Sequence, residues 1–394
     1  MNLVIVNNTS ETFTPTHSGA IATWIWEICG AAQRQGIVPL VITRRAEQPA
    51  YRWSALIEMD YPPPPRTRLG FFFGRAGRKL DGWRHIHQRR FGWQIVRAIR
   101  ENGWGDGPFL LHNDPELAVL LRRTFPHSCV FHHFHNQERY KPRFCRRFKN
   151  AQVVATAVSR FTARWNEDFF QLPQHSVRTI YNGVDCQRFS PGQDWPPCGK
   201  VVINFCGRTC IEKAPDLLLK AVENLSSKND RFEVQMIGAN HWGWTEMDGY
   251  QMQLRRLYER VQRQGVVVRQ LGHLPREQVP DQLRRAHVHV TPSRWDEPCA
   301  LTTLEGMACG LASVASRTGG TPEIVGDTGL FFQRDSVEEL AATLDRLIDD
   351  PQVRLDLCRR GRQRAMKFSW DRTWAQFQSL IDASTALKRC ISSN

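Results

Sequence analysis

The sequence predicts an α/β protein with two domains, each built on its own parallel sheet. The chain has 394 residues, which exceeds the roughly 250–300 residues that one hydrophobic core usually serves. Short apolar runs rich in β-branched residues alternate with segments in which apolar residues recur at helical spacing. A Pro- and Gly-rich stretch, "SPGQDWPPCGK" (190–200), interrupts this alternation, which then begins again.

The first half begins with a strand, a loop, a helix and a strand. "NLVIVNN" has the length and composition of a buried strand, "AIATWIWEICGAAQRQG" has helical spacing and ends at Gly36, and "IVPLVIT" is again a strand. This order is typical of a βαβ unit with parallel strands. Further strands are predicted at "PFLLHN", "CVFHHFHN", "AQVVATAVS" and "SVRTIYNGVD", and a helix at "PELAVLLRRTF".

The second half repeats the alternation after residue 200. Strands are predicted at "VVINFCG", "FEVQMIG", "VVVRQLG", "HVHVTPS", "LASVAS" and "TGLFFQ". Helices are predicted at "APDLLLKAVENLSS", "QMQLRRLYERVQRQG" and "VPDQLRRA", and at the end of the chain in "SVEELAATLDRLIDD" and "SWDRTWAQFQSLIDASTALK".

The formal net charge of +14 is unevenly distributed. Residues 1–190 carry 26 Lys and Arg against 14 Asp and Glu, whereas residues 191–394 carry 27 against 25. A basic first half suggests an anionic partner, such as nucleic acid, an anionic membrane surface or an acidic substrate. The alternative is a solvated surface in an Arg-rich chain.

Several classes of protein are not expected. The 11 cysteines are scattered without the CxxC pairs of a zinc site, which favours a reduced cytosolic protein with free thiols. No apolar run approaches the ~18–20 residues that span a bilayer. The start, "MNLVIVNN", has too short an apolar core and no basic lead for a signal peptide.

The segment 66–100 departs from the α/β pattern. It contains ten Lys and Arg against one acidic residue, interleaved with six Phe and Trp. Such a mixture suits contact with an anionic membrane surface, and it would also suit single-stranded nucleic acid. A helix with inward aromatic and outward arginine side chains is the structural alternative.

Two glutamates stand eight positions apart in "SRWDEPCALTTLEGMACGLASV" (293–314). Pro298 directly follows Glu297 and is typical of a first helical position, so a helix is expected to begin there and to carry Glu305 about 12 Å along its axis. Helix N-termini attract phosphate, and carboxylates accept hydrogen bonds from neighbouring hydroxyl groups. The spacing favours a nucleotide sugar; two unrelated surface glutamates are the alternative.

Two loops after predicted strands suit a diphosphate. In "FCGRTCIEKAPD", Arg208 follows the strand and Lys213 stands at the start of a helix. Their charges would stabilise a diphosphate leaving group. In "THSGAI", Gly19 would let a ligand approach the backbone closely. No GxGxxG is present, so a standard dinucleotide site is not expected.

The histidines of "FHHFHN" are further candidates. On a strand, His133 and His135 would share one face and His132 the other. A metal site is one hypothesis, but no carboxylate lies nearby in the sequence and no second His or Cys cluster is evident. We expect instead a histidine at the carboxyl end of the strand that faces the ligand, and His135 has that position.

Taken in order, these motifs resemble those of the retaining GT-B glycosyltransferases of family 4. "EPCALTTLEGMACG" resembles the family's E-x7-E signature, "GRTCIEKAPDLLLKA" its phosphate loop, "YNGVDCQRFSP" its interdomain stretch and "SRTGGTPEIV" its Gly-Gly-x-Pro-Glu segment. "HNDPELAVLLRRTFPHSCVFHHFHN" is similar to the first domain of cell-surface and spore-coat sugar transferases. The match runs from Gly19 to about Trp370.

The resemblance implies the GT-B fold, in which two Rossmann-like domains face each other across a cleft. Residues 1–190 would form the acceptor domain, together with a C-terminal helix, 371–394, that crosses back to it. Residues 191–370 would form the domain that binds the nucleotide sugar.

The resemblance also assigns roles by position. Arg208 and Lys213 would hold the diphosphate. Glu305 would bind the ribose hydroxyls and Glu297, with a catalytic role, the hydroxyls of the donor sugar. His135 would act beside the anomeric carbon. The remaining donor contacts would be Gly19, Ala20, Cys299, Ala300, Leu301 and Thr302.

Four alanines depart from the family's pattern. Ala20, Ala214 and Ala300 stand where the family often has Gly, and Ala22 where it often has Glu. None of them removes a charged group from the expected diphosphate site. Ala20 and Ala22 make the donor sugar and the acceptor unsafe to infer from relatives.

The expected function is transfer of a hexose from a nucleoside-diphosphate sugar, UDP-based at family level, with retained configuration and no metal or other cofactor. No Asp-x-Asp metal motif is present. The acceptor would be a glycan or lipid-linked glycan of cell-surface polysaccharide biosynthesis, met in the cytoplasm or at the inner face of the cytoplasmic membrane. A sugar-nucleotide epimerase or a phosphorylase of the same fold is the first alternative. A basic nucleic-acid-binding protein is the second, although nucleic acid is not the expected partner.

Overall fold

The computed structural model describes residues 2–8, 11–16, 19–60, 81–239 and 249–392. The chain forms two compact units. Unit 1 comprises Met1–Val158, Thr162–Ile180 and Thr373–Asn394, and unit 2 comprises Ser159–Phe161 and Tyr181–Arg372. Each unit contains one sheet, and all the strand pairings described are parallel, which confirms the α/β class predicted from the sequence.

Unit 1 has a seven-stranded sheet in the order β3-β2-β1-β4-β5-β6-β7. The strands are β1 (Val4–Val6), β2 (Leu40–Arg44), β3 (Leu56–Met59), β4 (Phe109–His112), β5 (Val130–Phe134), β6 (Val154–Ala157) and β7 (Arg178–Thr179). The helices are α1 (Ala20–Gln33), α2 (Asp81–Glu101), α3 (Pro115–Thr124), α4 (Pro142–Lys149) and α5 (Arg160–Phe170), joined by part of the last helix, α13 (Trp370–Ser392).

The order of strands in unit 1 reverses between β1 and β4, which are neighbours although β2 and β3 intervene in sequence. Loops that leave adjacent strands in opposite directions at such a point leave space for a ligand. Asn8 bridges these loops, because its side-chain amide donates to the carbonyl oxygens of His112 and Asn113 at 3.2 and 3.3 Å. The bridge fixes the loop after β1 against the end of β4.

Four histidines lie in the interior of unit 1: His112 at the end of β4, His132 and His133 in β5, and His135 just after it. His112 Nδ1 lies 2.9 Å from His135 Nε2, and His133 Nδ1 lies 2.8 Å from Thr156 Oγ1. Burial lowers the pKa of all four imidazoles, and it lowers the pKa of His132 and His135 to about 3. They are therefore neutral in the folded protein at physiological pH.

Aromatic side chains enclose this histidine layer on both faces of the sheet. The Trp24 ring of α1 lies 4.7 Å from His112 and 5.2 Å from His133, measured between ring centroids. Phe377 of α13 packs 5.3 Å from Trp24. On the other face, His132 packs edge-on 5.8 Å from Phe148. The layer is part of the hydrophobic core of unit 1.

Unit 2 has a six-stranded sheet in the order β10-β9-β8-β11-β12-β13. The strands are β8 (Val201–Cys206), β9 (Phe232–Ile237), β10 (Val268–Gly272), β11 (Val288–Thr291), β12 (Ala312–Ser316) and β13 (Leu330–Phe332). The helices are α6 (Pro215–Asn224), α7 (Gly249–Arg263), α8 (Val279–Leu283), α9 (Leu301–Ala308), α10 (Thr321–Val325), α11 (Val337–Asp349) and α12 (Pro351–Ala365).

The strand order of unit 2 reverses between β8 and β11. Both strands are largely buried, because parallel strands that helices cover on both faces are buried on both faces, and their buried polar residues His289 and Asn204 hydrogen-bond to each other at 3.0 Å. The chain leaves β8 through residues 207–214 and leaves β11 through residues 292–300. These two loops therefore start side by side at one edge of the sheet.

The structure corrects several details of the sequence analysis. The helix predicted to begin at Pro298 begins at Leu301, so Glu305 lies in its second turn rather than deeper. The strand predicted at "SVRTIYNGVD" is reduced to the two residues of β7. Strand β3 and helices α4, α5, α10 and α12 were not predicted. In the basic segment 66–100, α2 accounts for the part from Asp81, and residues 66–80 lie outside the described residues.

The buried histidines predict that unit 1 loses stability in mild acid. A base whose pKa is lower when folded binds more protons when unfolded, so the free energy of unfolding decreases as the pH falls below the unfolded pKa of about 6.5. Each histidine contributes up to about 1.4 kcal/mol per pH unit. Asp114 has the opposite effect on the pH dependence and offsets the contribution of one histidine, because burial raises its pKa to about 7. Urea unfolding between about pH 7.5 and pH 5.5 measures the slope.

The matched variant is His132→Phe. Neither ring nitrogen of His132 has a hydrogen-bond partner among the described residues, and its neighbours Phe134 and Phe148 are aromatic. The variant is expected to reduce the loss of stability between about pH 7.5 and pH 5.5 by about 1.4 kcal/mol in total. An unchanged slope would show that His132 binds protons equally in the folded and unfolded states, against this prediction.

Candidate functional site

The loops after β8 and β11 meet through an ion pair. Lys213 Nζ lies 2.6 Å from Glu297 Oε1, with side chains 25% and 3% exposed. Ser293 Oγ also donates to Glu297 Oε1. A carboxylate so deeply buried requires a cation and hydrogen-bond donors. Lys213 and Ser293 supply both at this edge of the sheet.

Backbone geometry fixes both partners of this pair. Ala214 follows Lys213 and has φ +50° and ψ +49°, a left-handed conformation that costs an alanine about 1 kcal/mol. Gly319 has φ +53°, and a Cβ there would lie 2.3 Å from the Glu297 carbonyl oxygen. Gly320 N donates to that oxygen at 2.6 Å. The Gly-Gly segment thus packs directly on the backbone of Glu297.

The second sequence-predicted carboxylate, Glu305, has a different cation as its partner. Arg276 Nη2 lies 2.7 Å from Glu305 Oε1, and the two side chains are 21% and 3% exposed. The Arg276 guanidinium also lies 5.4 Å from the centroid of the Phe189 ring. Sequence reasoning missed Arg276, although it stands in "GHLPREQ" just after β10, at a strand end where a ligand-facing residue is expected.

Two cysteines show how close these acids lie to the strand ends. Burial raises the pKa of Cys206, the last residue of β8, to about 12, and the charge of Glu305 adds to the rise. Burial likewise raises the pKa of Cys299 to about 12, with a smaller contribution from Glu297. Both thiols are therefore protonated and unreactive. Glu305 faces the end of β8, where the loop with Arg208 begins.

The other donor-site candidates of unit 2 surround the start of α9. Ala300 is buried and precedes the helix, and Leu301 and Thr302, half-buried, form its first two positions. Arg208 is exposed on the loop after β8. The structure therefore brings Lys213 and Glu297 into contact and gives Glu305 the partner Arg276, while Arg208 remains accessible to a ligand.

A second ionic cluster, which sequence reasoning did not identify, supports the loop after β11. Arg294 donates from two nitrogens to both carboxylate oxygens of Asp216, each at 2.7 Å. Tyr250 Oη donates to Asp216 at 2.6 Å and Lys220 Nζ at 3.0 Å. Burial alone would raise the pKa of Asp216, but these hydrogen bonds outweigh it and hold the pKa well below its usual value. The cluster ties the loop to the N-terminus of α6.

In unit 1, the close approach expected at Gly19 is made by a side chain of the protein. A Cβ on Gly19 would lie 2.4 Å from the carboxyl carbon of Glu11. Glu11 Oε2 accepts a hydrogen bond from Ala22 N at 3.1 Å, which satisfies a free amide at the start of α1. Ala20, the first residue of the helix, is exposed. Glu11 was not predicted, because no local pattern links it to Gly19.

His135 lies at the carboxyl end of β5, as the sequence predicts. Its backbone N–H donates to Asn113 Oδ1 at 2.7 Å, which links the ends of β5 and β4. Its ring is buried against His112 and Trp24. Because burial lowers its pKa to about 3, His135 is a neutral hydrogen-bonding group and not a cation.

In the described ranges, no group of three or more His, Cys, Asp or Glu has an arrangement that could hold a metal ion. Among the described helices, none combines the length and the hydrophobicity needed to cross a bilayer.

Comparison with known families gives two matches that follow one another along the chain. The model described as Glycosyltransferase Family 4 matches residues 21–188. The model described as Glycosyl transferases group 1 matches residues 193–364. The first range covers most of unit 1, and the second contains both buried carboxylates, Glu297 and Glu305.

Individual relatives and solved structures agree with these matches. The chain is 34% identical over 213 residues to a D-inositol 3-phosphate glycosyltransferase from Saccharomonospora viridis, covering 50% of this chain and 48% of that protein, so it spans about half the length of this relative. It is 26% identical over 318 residues to O-antigen chain mannosyltransferase B from Escherichia coli, covering 78% and 81% of the two chains. The structure of Anabaena HepE in complex with UDP superposes with a TM-score of 0.70 at 16% identity, over 97% of this chain and 100% of that one.

The structural likeness shows the GT-B fold, with two Rossmann-like units, and the family resemblance drawn from the motifs is confirmed. The chain belongs to the family 4 glycosyltransferases.

Proposed function

We propose that the chain is a retaining, metal-independent glycosyltransferase that moves a hexose from a UDP-sugar to a glycan or lipid-linked glycan in cell-surface polysaccharide biosynthesis. The observation that carries the proposal is the pairing of two buried carboxylates with cations at the strand ends of unit 2. The bound UDP of Anabaena HepE supports a uridine nucleotide. The mannosyltransferase of O-antigen chains supports a polysaccharide product.

In this proposal the nucleotide sugar binds along the edge of the unit 2 sheet. Lys213 and exposed Arg208 neutralise the diphosphate, where negative charge grows as the bond to the sugar breaks. Glu305 accepts hydrogen bonds from the ribose hydroxyls, and Glu297 accepts them from the donor sugar. The backbone from Cys299 to Thr302, which leads into α9, adds N–H groups for phosphate and sugar.

The ion pairs of the free protein would make these groups ready for the ligand. Lys213 already lies beside Glu297, so a diphosphate and a sugar hydroxyl can bind to neighbouring groups with little reorganisation. Arg276 donates to Glu305 Oε1 at 2.7 Å and so fixes the direction of this carboxylate. We assign Arg276 a positioning role, because it acts through Glu305.

Unit 1 would supply the acceptor side, while Gly19 and Ala20 would add contacts to the donor and His135 would have a catalytic role. His135 is neutral, so it can accept or donate a hydrogen bond near the anomeric carbon without adding charge. The oxygen of the leaving phosphate would take the acceptor's proton on the face from which it departs. This gives retention of configuration and needs no metal ion or other cofactor.

The predicted domain boundaries are kept as part of the proposal: acceptor domain 1–190 with 371–394, and donor domain 191–370. The protein would work in the cytoplasm or at the inner face of the cytoplasmic membrane, where lipid-linked acceptors are exposed. A thermal-shift panel of nucleotide sugars identifies the donor, because a ligand at 100 times its Kd adds about 2.7 kcal/mol of stability.

Removing the charged group of Glu305 or of Lys213 is expected to impair transfer. With the donor found in the panel, Lys213→Ala and Glu305→Ala should each lower kcat/KM at least about tenfold, a loss of about 1.4 kcal/mol of transition-state stabilisation. The controls remove the same charges elsewhere in unit 2: Lys228→Ala, which pairs with Asp349, and Glu223→Ala, which pairs with Arg260. Full activity in both site variants would exclude this donor site.

The product should keep the anomeric configuration of the donor sugar. Proton NMR of the first product formed distinguishes the two anomers by the coupling of the anomeric proton. An inverted product would contradict the proposed role of the leaving phosphate, although the assignment of the donor site could still stand. Release of free sugar phosphate, or change of the donor without an acceptor, would instead indicate a phosphorylase or an epimerase.

Chelation should leave the transfer rate unchanged. The diphosphate charge is balanced by Arg208 and Lys213 in the proposal, so EDTA is expected to have no effect on initial rates. A rate that falls with EDTA and returns with Mg²⁺ or Mn²⁺ would show that the two basic side chains do not suffice.

A further inference from the structure

Unit 1 contains a cavity of about 680 Å³ between helices α2, α3 and α4. This volume lies in the range of pockets that bind small molecules. None of its lining residues belongs to the donor site assigned above. We call it the α3 groove, because residues along the whole of α3 line it, from Asp114 at its N-cap to Thr124 at its end.

The walls of the α3 groove are largely apolar. Phe91 comes from α2, Leu117 and Leu120 come from α3, and Phe144 comes from α4. Trp93 lies at the edge with 54% of its surface exposed. Phe91 and Leu117 are themselves buried, so half-buried Leu120 and Phe144, with exposed Trp93, form the apolar surface that a partner could contact.

The rim of the α3 groove is basic. Arg100, Arg123 and Arg147 line it from three different helices, and Arg123 and Arg147 are exposed. In the part of the chain that the structure describes, none of the three forms an ion pair with an acidic side chain. Two acids, Asp114 and Glu116, also line the groove. Burial raises the pKa of Asp114 to about 7, so its negative charge is only partial at neutral pH.

One end of the α3 groove lies at the strand ends of unit 1. Asp114 follows Asn113, whose side chain accepts the hydrogen bond from the backbone of His135. A molecule that extends along α3 would therefore place one end near the residues to which the proposed function assigns the acceptor. The groove continues about 15 Å from there, the length of a ten-residue helix.

We propose that the α3 groove binds the hydrocarbon chain of a phosphate-bearing lipid, whose anionic group is held by the arginines of the rim. Apolar walls and basic edges together match an anionic amphiphile, whereas a free phosphate would gain nothing from the walls. The inference deepens the proposed function, since it selects a lipid-linked acceptor over a free glycan. The role of the lipid as an acceptor rests on the proposed function, whereas the binding of the lipid to the α3 groove does not.

The test measures binding of monomeric short-chain lipids to the full chain by titration calorimetry. Dihexanoyl phosphatidic acid is expected to bind at least about tenfold more tightly than dihexanoyl phosphatidylcholine. Inorganic phosphate should show no comparable binding. Equal binding of inorganic phosphate would overturn the proposal in favour of a simple anion site.

Two variants locate the binding. Leu120→Trp fills the groove and removes no charge, and Arg123→Gln with Arg147→Gln removes rim charges and leaves the walls intact; each should raise the Kd for phosphatidic acid at least about tenfold. The matched control is Arg97→Gln with Arg164→Gln, exposed arginines of unit 1 that do not line the groove. The control should bind like the wild type.

The outcomes test the lipid proposal and the proposed function separately. If the control loses as much affinity as the rim variant, binding follows net charge and the α3 groove is not the site. If phosphatidic acid does not bind at all, the groove serves another partner and the lipid proposal fails. UDP binding measured on the same samples separates the two proposals. Leu120→Trp should leave UDP binding unchanged. If the wild type does not bind UDP, the proposed function fails but the lipid proposal does not.

Discussion

Burial of two carboxylates at the strand ends of unit 2 is the constraint around which its loops are arranged. Glu297 and Glu305 are each 3% exposed at the side chain, and each has a cation within 2.7 Å. Without those cations, the loss of hydration would favour the neutral acids or unfold the loops. The cations come from loops after β8 and β10, far from Glu297 and Glu305 in sequence. The loop after β11 and helix α9 therefore hold their positions only as part of the assembled sheet.

The two ion pairs differ in how freely their cations could contact a ligand. Lys213 is 25% exposed and contacts Glu297 through one oxygen, so its remaining N–H groups can reach an anion without giving up the pair. The Arg276 guanidinium is fixed between Glu305 and the Phe189 ring, which leaves it less freedom. On the proposed function, Lys213 therefore contacts the diphosphate directly, and Arg276 sets the direction of a carboxylate. The positions of the two loops agree with this division: the loop with Lys213 follows β8, at the switch point between β8 and β11, whereas Arg276 follows β10, two strands away from β8.

The fold was predictable where a local pattern has a direct physical cause. Buried parallel strands must be short and apolar, so nearly all of them could be read from the sequence, and the carboxylates at the E-x7-E spacing were found with their residue numbers. The start of α9 was placed three residues too early, because Pro298 suits a first helical position but Gly319 and Gly320 pack against the backbone of residues 297–298, which lie in a loop. Arg276 and Glu11 could not be found, since their roles depend on contacts with residues distant in the chain. The part of segment 66–100 before Asp81 lies outside the described residues, and its predicted membrane contact stays a prediction.

Ala214 shows how stability is exchanged for geometry next to the site. An alanine with φ +50° costs more than the glycine that the family often has at this position, and the change would be easy to reverse in evolution. The methyl group, however, is fully buried in the core of unit 2, where it contributes apolar contacts that a glycine would lack. The two effects are of similar size, about 1 kcal/mol each, so neither residue is strongly favoured by stability. An alanine samples fewer backbone conformations than a glycine, and it therefore holds the preceding Lys213 more firmly beside Glu297.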